Sequence, residues 1–127
     1  MVVANPMTDT VEHMNETILH MLHILELVQE VLPPNRAAGI NLLSWALEER
    51  GMRHEEQASD NAWKNFLRWC VNAAMALGEP RIEKRGLTST MSYHITEAGR
   101  EYLAEHMTPD VERWSGQFDR YRPEEIE

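Results

Sequence analysis

Cysteine is almost missing from this chain: Cys70 stands alone among 127 residues. One thiol forms neither an internal disulfide nor a thiolate zinc cage, which suits a reducing compartment. Long apolar runs are missing too. The longest candidate, Ile18 to Leu32, is interrupted by His20, His23, Glu26 and Glu30, so no segment reads as a bilayer span. Met1 to Thr10 has no basic stretch followed by an apolar one, so no secretory signal is expected and the chain reads as cytoplasmic. The six glycines (39, 51, 78, 86, 99 and 116) form neither a dinucleotide fingerprint nor a phosphate loop. His54-Glu55-Glu56 lacks the second histidine, four residues from the first, that a metalloprotease helix needs. No Ser/His/Asp or paired-carboxylate constellation stands out. The reading is of a protein that is not an enzyme and carries no cofactor.

Positive charge is also scarce. Twelve Lys and Arg face twenty-one Asp and Glu, a net charge of −9. Such a molecule repels nucleic acid at long range, so any contact with it must rest on a local basic surface. The acidity is uneven. Residues 1–56 hold nine acids against three bases and residues 108–127 hold six against three, while residues 57–107 hold six of each. The middle of the chain is therefore the place to look for a basic face.

What is present is core-forming material, 43% of the residues, enough for one domain. Val11, Met14, Ile18, Met21, Leu25, Val28 and Leu32 recur at spacings of three and four and predict a long amphipathic helix over Val11–Leu32. Thr8, Asp9 and Thr10 offer N-caps, and Pro33-Pro34 stops it. Leu19, Leu22, Ile24, Leu27 and Val31 widen its apolar face beyond a seam. This helix either sits at the centre of the monomer or makes a dimer. A second helix is predicted over Ala37–Arg50, stopped by Gly51, with Ile40, Leu43 and Leu47 facing one way. Met52–Ser59 reads as a polar connecting loop.

The third predicted helix, Asp60–Leu77, ends before Gly78 and Pro80. Asn61, Lys64, Asn65, Arg68 and Asn72 fall on one stripe of it, while Trp63, Phe66, Leu67, Cys70, Val71, Ala74 and Leu77 occupy the rest. The period then changes. Arg81–Arg85 and Met91–Ile95 predict the two strands of a hairpin joined through Gly86–Thr90, with Ile82, Tyr93 and Ile95 inward. Thr96 caps a fourth helix, Glu97–His106, closed by Thr108-Pro109. Val111, Trp114, Phe118 and Tyr121 then recur at helical spacing. They either dock the tail over the first helix or form a partner-binding motif. The expected organisation is a flexible N-terminus (1–10), a folded domain (11–107) and an acidic tail (108–127).

Tyr93-His94-Ile95-Thr96-Glu97-Ala98-Gly99-Arg100-Glu101-Tyr102-Leu103 resembles the end of the wing in PadR-like regulators and in winged-helix modules of restriction proteins. Leu77-Gly78-Glu79-Pro80-Arg81-Ile82-Glu83-Lys84-Arg85-Gly86 is similar to the junction from their recognition helix into the first wing strand. The resemblance covers residues 35–107 as an order of elements and residues 77–103 as a motif. It implies a mainly α fold with a small β-hairpin: a winged helix-turn-helix with a long N-terminal helix. It also implies duplex DNA as the partner.

The residue types match that task. Arg suits the guanine edge and Asn the adenine edge. Asn61, Lys64, Asn65, Arg68 and Asn72 are expected to read DNA, and Arg81, Lys84 and Arg85 to grip its backbone. Across residues 60–86 five cations face three acids, a thin surplus, so a homodimer through the N-terminal helix is expected to double the contacts. Two plainer explanations stand beside this one. A solvated helix face also looks polar, and Lys and Arg also protect strand edges. A rival function follows from the net charge: an acidic winged-helix module, of a phage-type or accessory factor, that binds a protein and not DNA. His13, His20 and His23 invite a metal, but no cysteine or placed carboxylate completes a set, and they read as solvated surface histidines. Cys70 reads as a buried, inert thiol.

Overall fold

The computed structural model describes residues 6–31, 39–53, 59–86 and 92–116, with the side chains of the first helix described from Val11 to Gln29. The order is α1 (Pro6–Val31), α2 (Ile40–Glu49), α3 (Asp60–Met75), β1 (Ile82–Arg85), β2 (Ser92–Ile95), α4 (Glu97–His106) and α5 (Pro109–Glu112). The fold is mainly helical with one two-stranded antiparallel hairpin. Leu32, Pro33-Pro34, Ala37, His54 to Glu56, the Leu87–Thr90 connection, Met91, Phe118 and Tyr121 lie outside the described residues.

α1 is the axle. Met21, Leu22, Ile24 and Leu25 are fully buried, and the helix packs against α2, α3, α4, α5 and β2. Its wide apolar girth is therefore used up within one protomer between Ile18 and Val28. The helix also begins earlier than its apolar pattern, at Pro6, a residue suited to a first helical turn. Thr8, Asp9 and Thr10 consequently lie inside α1 and do not cap it.

α2 ends in a glycine turn with a consequence for the core. Gly51 takes φ 74°, the left-handed conformation that costs glycine least. Its N–H donates to the Glu48 carbonyl at 3.0 Å and the Met52 N–H donates to Leu47 at 3.0 Å, closing the orphan carbonyls of the helix. The turn drives Met52 into the core, so Met52 does not belong to a polar loop. It also carries Arg50 inward.

α3 starts where Ser59 Oγ accepts from the Ala62 N–H at 3.0 Å, with Asp60 favourably placed in the positive first turn. Trp63, Leu67, Cys70, Val71 and Ala74 are buried. After the bend at Leu77–Pro80, the Arg81 N–H donates to the Ala74 carbonyl at 3.1 Å and returns the chain along α3. The hairpin pairs Ile82 with Ile95, Glu83 with His94, Lys84 with Tyr93 and Arg85 with Ser92. Ile82, Tyr93 and Ile95 are buried, as the alternation predicts.

A tight junction locks the hairpin to α4. Thr96 Oγ1 donates to the Pro80 carbonyl and accepts from the Gly99 N–H, while the Thr96 N–H donates to Arg81 at 3.1 Å. Gly99 has no alternative here. A Cβ at that position would fall on the Arg81 carbonyl oxygen and lie 2.8 Å from Ile95 Cγ1.

Candidate nucleic-acid interface

The polar stripe of α3 is accessible. Asn61, Asn65, Arg68 and Asn72 are exposed and Lys64 is half-buried beside the inward Val71. No Asp or Glu occurs between Asn61 and Gly78, so the row carries positive charge alone. Arg68 Nη1 donates to Asn65 Oδ1 at 3.0 Å, which turns the Asn65 amide nitrogen outward as a donor. Asp60, at the head of the helix, is held by Arg53 at 3.0 Å, and the same guanidinium binds Glu48 at 3.0 Å.

The three hairpin cations go separate ways. Lys84 is exposed and faces Tyr93 across the ladder, on the side of the hairpin that meets α3. Burial raises the Tyr93 pKa and the charge of Arg68 partly offsets this. Arg85 is exposed but bonded to the Glu83 carboxylate through Nε, at 2.7 Å, and Nη2. Its charge is largely cancelled at the surface. Arg81 leaves the group altogether: its guanidinium stacks 3.6 Å over the Tyr102 ring on α4. The structure thus keeps Asn61, Asn65, Arg68 and Asn72 exposed on α3 and Lys84 exposed on β1, with Lys64 half-buried, Arg85 paired with Glu83 and Arg81 turned onto Tyr102.

Two features of this region escaped the sequence reading. Trp69 is 68% exposed on α3, and Leu77, expected on the buried side, is 40% exposed. Trp69 lies four residues after Asn65 and three before Asn72, and that spacing alone puts it on the open face. The second is a relay behind the hairpin. Arg100 Nη2 donates to Gln29 Oε1 at 2.7 Å, which orients the Gln29 amide to donate to His94 Nδ1 at 3.3 Å. His94 Nε2–H then meets Ser92 Oγ at 2.7 Å. Burial and Arg85 lower the His94 pKa against an opposing effect of Glu83, so the ring stays neutral and fixes the hairpin to α1 and α4.

The histidines of α1 are not solvated: His13, His20 and His23 are all buried. His13 stacks on Phe66 at 4.9 Å between ring centres. Arg50 Nη1 and Nη2 donate to His20 Nδ1 at 2.9 Å and His23 Nδ1 at 3.0 Å, so each imidazole is neutral with its proton on Nε2. Desolvation, then the Arg50 charge, lowers both pKa values to about 4, and burial lowers that of Arg50 to about 9. With both Nδ1 lone pairs engaged, this cluster is a structural bridge from α1 to α2. Among the described residues no group of three His, Cys, Asp or Glu is placed to hold a metal ion. Cys70 is buried and its thiol is pushed up to about 12, which keeps it protonated.

The tail docks in part. Val111 is buried, α5 contacts α1, and the Trp114 ring lies 5.7 Å from the Arg50 guanidinium carbon. Thr108 Oγ1 accepts from the Val111 N–H at 3.3 Å and so caps α5 after α4 ends. Among the described residues no helix is long and apolar enough to cross a membrane. No family model, curated protein or solved structure matches the chain.

Proposed function

We propose that this chain is a winged helix-turn-helix protein that binds duplex DNA as a cytoplasmic transcriptional regulator. One observation carries the reading: Asn61, Asn65, Arg68 and Asn72 stand exposed on one acid-free face of α3, and Lys84 is exposed on β1, which contacts α3. In this reading α3 enters the major groove. Arg68 addresses guanine O6 and N7, the asparagines address adenine N6 and N7, and Lys64 and Lys84 meet phosphates. Arg85 joins them when phosphate displaces Glu83. Arg81 serves the α4 junction and makes no backbone contact.

Few cations face the duplex, so a homodimer is part of the proposal, because two copies double the phosphate contacts. The centre of α1 is already covered within the protomer. Val11, 52% bare on α1, is the part left for a second copy.

A salt titration of binding to duplex DNA tests this. Affinity falls as salt rises, and Arg68→Ala and Lys64→Ala each weaken binding and flatten the slope by about one ion. Unchanged affinity and slope in both variants would refute α3 as the reading helix.

A further inference from the structure

Val11, Trp69 and Leu77 are the large apolar side chains standing exposed among the described residues; Trp69 lies on α3 and Leu77 just past its end. Trp69 and Ala73 are exposed four residues apart on α3, and Leu77 is exposed in the bend that follows the helix, so apolar surface continues from the helix to its end. An indole 68% exposed in mid-helix adds nothing to this protein's own core. Large aromatic side chains in such positions are the usual anchors of protein contacts.

This surface leads into a groove. Leu77 forms part of an open cleft of about 420 Å³ between the end of α3 and α4, lined also by Glu79, Arg81, Glu101, Tyr102 and Glu105. Its one cation lies flat on the Tyr102 ring. Glu101 and Glu105 are one turn apart on the exposed side of α4, and Glu79 is also exposed. Among the described residues none of these three carboxylates has a cation within 4.0 Å. The surface therefore joins an apolar anchor to an acidic rim of three carboxylates against one cation, Arg81, which lies on the Tyr102 ring.

We propose that this surface docks a basic amphipathic segment of another protein, its apolar side chain lying on Trp69 and Leu77 and its Lys or Arg side chains meeting Glu79, Glu101 and Glu105. A second copy of this chain fits poorly, because it presents the same carboxylates within a molecule of net charge −9. Phosphates meet the same repulsion at this rim. The proposal does not depend on DNA binding, since it uses Trp69, Leu77 and the three carboxylates and none of the asparagines.

The probe is a synthetic helical peptide of leucine and lysine, with a leucine–glutamate peptide as its control. The readouts are the Trp69 indole N–H signal in ¹⁵N NMR spectra, assigned with Trp69→Phe, and the Kd. The expected result is a shift of that signal with the lysine peptide only. Affinity should fall on the order of tenfold in Trp69→Ala and in the Glu101→Gln/Glu105→Gln double variant. It should hold in a Glu12→Gln/Glu16→Gln variant on the exposed side of α1. All of these side chains are exposed, so the variants keep the fold, and circular dichroism checks this. Four results would overturn the proposal: an unmoved indole signal, equal binding of the glutamate peptide, an equal loss in the α1 variant, or an indole signal that moves only on self-association or with duplex DNA.

Discussion

Two polar rows on two helices of this protein have opposite fates. His13, His20 and His23 on α1 are buried, two of them under the guanidinium of Arg50, whereas Asn61, Asn65, Arg68 and Asn72 on α3 stay in solvent. The difference lies in what surrounds each helix. α1 is enclosed by five other elements, so even its polar positions must find partners inside. α3 packs through one face and leaves the other open. A neutral imidazole accepts burial if its lone pair is satisfied, and Arg50 satisfies two at once. The buried row ties α1 to Arg50, and the open row stays in solvent.

The sharpest way to break this contrast is to remove the bridge. Arg50→Ala strands two buried imidazole acceptors and should lower the unfolding free energy in urea at pH 7 by about 4 kcal/mol. A smaller loss would mean that the histidines are reached by water.

Acid attacks the same row. Both imidazoles titrate near 4 in the folded protein against 6.5 in an unfolded chain, so the unfolded chain binds more protons between those values. The stability they confer is present above pH 6.5 and is lost as pH falls toward 4, on the order of 3 kcal/mol for each ring. Urea melts across that window in the native protein and in His20→Gln/His23→Gln should show the dependence flattened in the variant.

Gly99→Ala probes the junction behind the open row. Its Cβ meets backbone, so the hairpin or α4 must shift, costing about 2 kcal/mol by thermal melting. The smallest effect belongs to the open row itself. Asn65→Ala and Asn72→Ala should change stability by no more than about 0.5 kcal/mol, because neither side chain supports the fold. A larger loss would make the row structural.

Much of the architecture was legible from residue spacing and punctuation. Thr96 and the range of α4, the stop at Gly51, and the inward Ile82, Tyr93 and Ile95 each follow from one local rule about caps, left-handed glycine or strand alternation. The errors fall where distant partners decide. Nothing local to His20 and His23 announces an arginine on another helix, and nothing around Arg81 announces Tyr102, more than one element away. Met52 entered the core because the glycine turn aimed it there, although its neighbours are polar. Leu77 came out of the core because α3 ends at Met75, before it. Trp69 was missed for a different reason. Its chemistry says core while its angle on the helix says surface, and the angle was right.

We propose that the open face of α3 meets DNA. This is tested most directly by titrating duplex DNA into the ¹⁵N-labelled protein at low salt. The account predicts that the side-chain amide signals of Asn61, Asn65 and Asn72 and the backbone signal of Lys84 move first, that those of α1 and α5 stay still, and that salt reverses the shifts. Stationary asparagine signals, whether or not others move, would contradict it.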